Sequence, residues 1–130
     1  MLQGIHHIAL KTAGEAEFHK TVAFYTSVLG CAPVRAWGSG AEQGCMLSLG
    51  NTLLEVTSNG EAAAGKGHFP HIAFRTDDVD GAAEAVRRAG YPVFIEPSDK
   101  NLGGDYPIRI AFCTGPAGED IEFFHERARG

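Results

Sequence analysis

The chain has 130 residues and a mass of 13.8 kDa, which is room for one domain or for two small halves that share a core. Eleven Lys and Arg against sixteen Asp and Glu give a net charge of -5, which argues against a nucleic-acid binder or a polybasic membrane protein. No apolar run approaches the roughly 20 residues that span a bilayer. The three cysteines lack C-x-x-C spacing and the N-terminus lacks a secretory signal, so we expect a cytoplasmic protein with free thiols.

The first half of the chain is predicted to form a strand, a helix and three short strands. Residues 4–12 alternate as a strand does, and residues 16–29 carry an apolar stripe at helical spacing. That stripe consists of Phe18, Val22, Tyr25 and Leu29. Glycine-rich turns then separate three strands, predicted near 33–38, 44–49 and 52–57.

The second half repeats this order after a predicted linker at residues 58–69. A strand at 70–76 leads to a helix that is capped by Asp77 or Asp78 and ends near Ala89. Three strands follow, predicted near 92–96, 107–113 and 119–125. Residues 97–106 are polar and contain two glycines, so they are predicted to form a long loop.

The two halves also share sequence. HIALKT at 7–12 returns as HIAFRT at 71–76, and LEV at 54–56 returns as IEF at 121–123. Two echoes in the same order indicate a duplicated module. We therefore predict an α+β fold in a single domain over 1–130, with two tandem βαβββ modules at about 4–57 and 70–126. Each module is expected to form a cupped, half-barrel mixed sheet with its helix on the outer face.

Each module carries one His and one Glu on the face of its sheet that points away from the helix. Alternate residues of a strand point to opposite faces, and the large apolar neighbours of these residues are expected to pack on the helix. The four residues are His7, Glu55, His71 and Glu122. A mid-strand carboxylate between apolar residues needs a cation, and two imidazoles with two carboxylates suit a divalent Zn, Ni, Mn, Co or Fe ion. Two His–Glu contacts that brace a sheet interface are the alternative.

This pattern resembles the vicinal oxygen chelate superfamily, which includes glyoxalase I, methylmalonyl-CoA epimerase, extradiol dioxygenases and the bleomycin and fosfomycin resistance proteins. The resemblance covers about residues 4–126, and FYTSVLG at 24–30 is similar to the superfamily's FYxxVLG run. The set His7, Glu55, His71 and Glu122 is similar to the metal ligands of bacterial glyoxalase I. EVTSN at 55–59 resembles the ExTxN stretch of that enzyme, whereas GPAG at 115–118 departs from the usual DPxG turn.

The resemblance implies a metal-dependent lyase of the lactoylglutathione lyase type. Its substrate would be the hemithioacetal of a 2-oxoaldehyde with glutathione or another thiol, and the reaction would pass through a metal-chelated ene-diolate. Zn or Ni is the expected metal, with Mn, Co and Fe as alternatives. Glu122 is the expected base, and Glu55 is its pseudo-symmetric second. Lys11, Asn59 and Lys100 are the expected contacts to the thiol moiety, although Lys11 stands where an Arg is usual.

Two other functions remain open at this stage. One is a metal-free, ligand-sequestering protein like the bleomycin resistance proteins, with Trp37, Tyr91 and Tyr106 lining an aromatic groove. The other is a different enzyme of the same superfamily, such as a thiol transferase, an epimerase or a dioxygenase. Open sheet edges also favour a homodimer, and the resemblance implies that each subunit supplies two metal ligands.

Overall fold

Both halves of the chain have the predicted order of one strand, one helix and three strands. A computed structural model describes residues 1, 3–61, 69–102 and 104–127, and its contacts divide the chain into two units, Met1–Ala64 and Gly65–Gly130. Residues 62–68 of the predicted linker lie outside the described residues. The described part contains no helix with the length and apolar character that crossing a bilayer requires.

The first unit is a four-stranded mixed sheet with a helix on one face. Its elements are β1 (His7–Lys11), α1 (Gly14–Ala23), β2 (Pro33–Ser39), β3 (Glu42–Ser48) and β4 (Leu53–Thr57). The strand order is β1-β4-β3-β2, with β1 parallel to β4 and the other pairs antiparallel. The alternation of β1 and β4 is as predicted, because Leu54 and Val56 are buried while His7 is exposed and Glu55 is half-buried.

The second unit repeats this topology. Its elements are β5 (Ile72–Arg75), α2 (Val79–Arg88), β6 (Val93–Leu102), β7 (Tyr106–Thr114) and β8 (Asp120–Glu126). The strand order is β5-β8-β7-β6, again with the first strand parallel to the last. Asp78 caps α2, because its Oδ1 accepts a hydrogen bond of 2.9 Å from the backbone N–H of Gly81. The α+β fold with two βαβββ modules is therefore confirmed.

The predicted first helix is not α-helical over its whole length. It changes at Phe24–Val28 to a π-helical turn, in which the N–H of Leu29 bonds the carbonyl of Phe24 at 3.2 Å. Phe24 and Tyr25 are adjacent, yet they are only 2% and 1% exposed. The wider turn explains how two neighbouring aromatic residues are both buried, which the stripe at regular helical spacing does not predict.

The predicted loop at 97–106 is wrong, because most of it belongs to a β-hairpin. β6 extends to Leu102, and its residues Ser98, Asp99 and Lys100 pair with Ile110, Arg109 and Ile108 of β7. Ionic contacts favour this pairing, since Arg109 donates to Asp99 at 3.1 Å. Polar composition indicated a loop, but the pairing of β6 with a buried neighbouring strand decides the conformation.

The two helices contact their sheets differently. α1 has its main contacts with β4, whereas α2 contacts β6, β7 and β8. Two ion pairs join α2 to its sheet, because Arg87 pairs with Glu96 of β6 and Arg109 of β7 pairs with Asp80 at 2.7 Å. The helix of the second module therefore covers more of its sheet than the helix of the first.

Candidate functional site

The second module brings its predicted His and Glu into contact. His71 directly precedes β5, and Ala73 of β5 is paired in register with Glu122 of β8. His71 Nε2 lies 3.2 Å from Glu122 Oε1, and Glu122 is only 9% exposed. Burial raises the pKa of Glu122, and the neighbouring imidazole of His71 opposes that shift. The result is a buried carboxylate with an imidazole as its polar partner.

Aromatic rings border this pair. Phe112 of β7 lies opposite Glu122 in the register, and its ring meets the His71 ring edge-on with centroids 5.3 Å apart. Phe94, which is 49% exposed, continues the aromatic surface at 5.7 Å from Phe112. Neither residue was predicted from the sequence. Aligning the two modules by sequence could have found Phe112. It lies opposite Glu122 in the second sheet, just as Met46 lies opposite Glu55 in the first.

The first module places His7 and Glu55 on one face, but the two side chains form no hydrogen bond or ion pair with each other. Glu55 is half-buried, and it forms no hydrogen bond or ion pair within the described part of the chain. His7 is exposed, and its Nδ1 lies 3.0 Å from Nδ1 of His6. This contact leaves Nε2 of His7 available to another partner. The first module therefore offers one open imidazole nitrogen and one unpaired carboxylate.

The chemistry of these donors fits a divalent transition metal. In the second module, Nε2 of His71 and Oε1 of Glu122 are 3.2 Å apart. Two ligand atoms that each lie about 2 Å from one metal ion have this separation. Within residues 1, 3–61, 69–102 and 104–127, however, no three His, Cys, Asp or Glu side chains form a group that could hold an ion. The second module thus supplies one converging donor pair, while the complete set of four stays a prediction.

Lys11 and Asn59 lie at the same end of the first sheet. Lys11 is the last residue of β1, and Ala13 bridges Asn59 just beyond the end of β4. Both side chains are exposed, and backbone bonds such as Gly60 N to Thr12 O at 2.9 Å hold the two segments together. One cation and one amide therefore lie at the end of the sheet whose face carries His7 and Glu55.

The remaining predicted residues belong to different environments. Lys100 is exposed on β6, in register with Ile108, rather than in a loop. Trp37 is 42% exposed, and its indole lies on Gly44 so closely that a Cβ there would be 2.5 Å from the ring. The Tyr106 hydroxyl lies 2.7 Å from Glu126 Oε1, and Tyr91 is half-buried just after α2. Trp37 belongs to the first unit, whereas Tyr91 and Tyr106 belong to the second.

Comparison with known proteins identifies the family. The model of the Glyoxalase/Bleomycin resistance protein/Dioxygenase superfamily matches residues 4–123, which is nearly the whole chain. The chain belongs to this superfamily. A search of curated protein sequences finds no match.

Several solved structures share the fold of this chain at low sequence identity. A glyoxalase/bleomycin resistance protein/dioxygenase from Alicyclobacillus acidocaldarius is 16% identical, with a TM-score of 0.72 over 96% of this chain and 92% of that one. The trypanothione-dependent glyoxalase I of Leishmania major is 22% identical, with a TM-score of 0.68 over 96% and 88%. TnmS3, an antibiotic binding protein from Streptomyces sp. CB03234, is 17% identical, with a TM-score of 0.74 over 97% and 98%. This fold is therefore shared by an enzyme and by an antibiotic binding protein.

Proposed function

We propose that this protein is a metal-dependent, glyoxalase I-like lyase that acts on the hemithioacetal of a 2-oxoaldehyde and a thiol. The observation that carries the proposal is the contact between His71 and the buried Glu122 at 3.2 Å. His7 and Glu55 occupy the matching positions of the first module, and Glu55 is a half-buried carboxylate without a partner among the described residues. A divalent metal would satisfy both acids at once.

When bound, the metal would act as a Lewis acid toward the two neighbouring oxygens of the substrate. We expect Zn or Ni, with Mn, Co or Fe as alternatives. His7, Glu55, His71 and Glu122 would hold the metal. Glu122 would accept the proton from C1 and return it to C2, and Glu55 would be its counterpart on the other side. Here C1 is the carbon that bears the thiol sulfur and a hydroxyl, and C2 is the neighbouring carbonyl carbon. The proton of the C1 hydroxyl would pass to the C2 oxygen, so that the C2 carbonyl becomes a hydroxyl while C1 becomes the thioester carbonyl. Because hydrogen only moves within the substrate, the reaction needs no oxidant or reductant.

The thiol moiety would extend toward charged and amide side chains. Lys11 and Asn59 are exposed at one end of the first sheet, where they can bind the carboxylates and amides of glutathione or a similar thiol. Lys100 supplies a further exposed cation on β6. The ammonium group of a lysine cannot donate two parallel hydrogen bonds to one carboxylate, as the guanidinium of an arginine does. These contacts would therefore tolerate several related thiols.

The proposal is tested by metal analysis and by a coupled assay of the same preparation. We expect about one transition metal ion for each set of four ligands, and thioester formation from methylglyoxal with glutathione or another thiol. A chelator should abolish turnover, and adding back Zn or Ni should restore it. A protein that binds no metal, or that holds metal and is inactive with every thiol tested, would contradict the lyase assignment.

A ligand-binding function is the second candidate, and the exposed indole of Trp37 favours it. One ring face lies on Gly44, which leaves the other free to stack on a planar ligand. Calorimetry with bleomycin and metal-free protein tests this candidate. We expect saturable binding that Trp37→Leu abolishes and Tyr91→Leu retains. Equal affinities of the two variants would remove Trp37 from any such site.

We also propose a homodimer, for which the free sheet edges are the support. β2 and β6 are edge strands, and their exposed apolar residues include Val34 at 46%, Phe94 at 49% and Leu102 at 50% exposure. Apolar side chains on an unpaired edge favour association with another sheet. Light scattering should therefore give twice the monomer mass of 13.8 kDa, and a monomer at micromolar concentration would contradict the proposal.

A further inference from the structure

His6 lies against His7, the first of the four predicted metal ligands. Nδ1 of His6 is 3.0 Å from Nδ1 of His7, and the two rings meet edge-on with their centroids 5.2 Å apart. Adjacent residues of a regular strand point to opposite faces, so neighbours in a strand do not form such a contact. It forms here because β1 begins at His7, and His6 lies just outside the strand.

Hydrogen bonds to the beginning of β4 hold the backbone of His6. The backbone N–H of Leu53 donates to the carbonyl oxygen of His6 at 3.3 Å, and the hydroxyl of Thr52 donates to the same oxygen at 3.0 Å. β4 is also the strand that carries Glu55. The backbone of His6 is therefore attached to the strand whose carboxylate is another predicted ligand.

The contact between the two rings requires a particular placement of protons. Each neutral imidazole has one nitrogen with a proton and one without, so one Nδ1 must donate and the other must accept. If Nδ1 of His7 donates, its Nε2 has no proton and can bind a metal ion. If Nδ1 of His6 donates, Nε2 of His7 carries the proton and cannot bind a metal ion. Neither ring changes its charge between these two arrangements.

The second module has no such neighbouring histidine. The repeat of HIALKT as HIAFRT matches His6 with Pro70, whose side chain has no donor or acceptor. His71 instead contacts Glu122, with Nε2 at 3.2 Å from Oε1. Among the residues that the structure describes, His7 has no such contact with the acid of its own module, and its ring bonds His6 instead. The two modules therefore orient their predicted histidine ligands by different means.

We propose that His6 is a positioning residue for the metal ligand His7. This inference rests on the proposed function, because it needs a divalent metal at the four predicted ligands. Nδ1 of His6 would accept the hydrogen bond from Nδ1–H of His7, which leaves Nε2 of His7 without a proton and fixes the direction in which this nitrogen points. Loss of such a partner typically lowers metal affinity by about 10–100-fold.

The test compares His6→Leu, which removes the acceptor, with His6→Asn, whose Oδ1 can accept the same hydrogen bond. Zinc affinity is measured by competition with a chromophoric chelator at about pH 8, where imidazoles are neutral. We expect His6→Leu to bind zinc about 10–100-fold more weakly than the wild-type protein, and His6→Asn to remain within about threefold of it. His19→Leu, which changes an exposed histidine of α1, should not alter the affinity.

Two spectroscopic measurements separate positioning from direct ligation. Nitrogen NMR of the metal-free protein should show that Nδ1 of His7 carries the proton in a larger share of molecules in the wild type than in His6→Leu. The cobalt-saturated His6→Leu protein should retain the absorption bands of the cobalt-saturated wild type, because no ligand is lost. A change in these bands would show that His6 is itself a ligand, and it would overturn the proposal.

The affinities also separate a failure of this inference from a failure of the proposed function. Equal zinc affinities of the wild type and His6→Leu, or equal losses in His6→Leu and His6→Asn, would overturn the role of His6 alone. A wild-type protein that binds neither zinc nor nickel would contradict the lyase proposal and this inference together. His6 is exposed and lies outside β1, so its variants should fold, which circular dichroism checks.

Discussion

The helix of the second module is joined to two strands beneath it by ion pairs, whereas no ion pair joins α1 to its sheet within the described residues. The same contrast extends to the acidic residues, because Glu122 is buried against His71 while Glu55 has no partner in the described residues. A duplication has therefore preserved the topology and the face on which each His and Glu lies. Packing and ionic contacts have diverged, because they depend on side chains that the strand pattern does not constrain.

The largest expected difference between the modules is in catalysis. Glu122→Gln should retain metal, since an amide oxygen can still bind it, but should lower turnover by about 10²–10⁴ because the amide cannot accept the proton. Glu55→Gln should reduce turnover less. Steady-state assays with metal content measured on each preparation check the comparison, and Glu42→Gln at the exposed end of β3 is the control. An active Glu122→Gln protein would remove the assignment of Glu122 as the base.

The next largest difference should be in the reactivity of the cysteine thiols of the two modules. Burial, helped by the nearby Glu119 and Asp120 carboxylates, raises the pKa of Cys113 from 9.0 to about 12. Its thiolate fraction at pH 8 should therefore be roughly a thousandfold below that of an unfolded chain. Cys31 of the first module is only half-buried, so it should react with an alkylating reagent well before Cys113.

Mass spectrometry after timed labelling measures both rates, and complete unfolding should release all three thiols. Because the raised pKa belongs to the folded state, its stabilising effect is present below pH 9 and is lost as the pH rises toward 12. Equal labelling rates of Cys31 and Cys113 in the native protein would contradict the difference in burial.

Helix packing should differ by a smaller amount. Val86 of α2 is fully buried, so Val86→Ala should lower the free energy of unfolding by about 2 kcal/mol. Val22 of α1 is half-buried and borders an open cavity over β2 and β3, so Val22→Ala should cost less than about 1 kcal/mol. Urea unfolding of the two variants measures the difference in free energy of unfolding, provided that the denaturant slope m is the same in both. Equal losses would indicate that α1 is as closely packed on its sheet as α2.

The smallest effect concerns acid stability. The Arg109 guanidinium holds the pKa of Asp80 below its usual value of 3.8, so this contact stabilises the fold above that pH. Its contribution is lost as the pH falls through the lowered pKa. Asp80→Asn should therefore reduce the acid dependence of the urea midpoint, while the exposed Asp77→Asn should not. The same acid dependence in both variants would show that the ion pair contributes nothing measurable.

Predictions from sequence succeeded where the information is local. The positions of the strands, except for the end of β6, were predicted to within a few residues, because residue alternation and turn residues mark them. A cap of α2 by Asp77 or Asp78 was also predicted, and Asp78 forms it. The candidate site was predicted in part, since the contact of His71 with Glu122 follows from strand alternation and module symmetry.

The sequence by itself determined the duplication, the βαβββ order and the face on which the two His and two Glu residues lie. Those features depend on residue spacing along a strand, which is the same in any context. Only the tertiary structure decided that residues 98–102 join a hairpin, that Phe112 meets the His71 ring, and that α1 leaves a cavity over β2. These features depend on which side chains meet across distant segments, and short-range patterns carry no information about how closely two such surfaces pack.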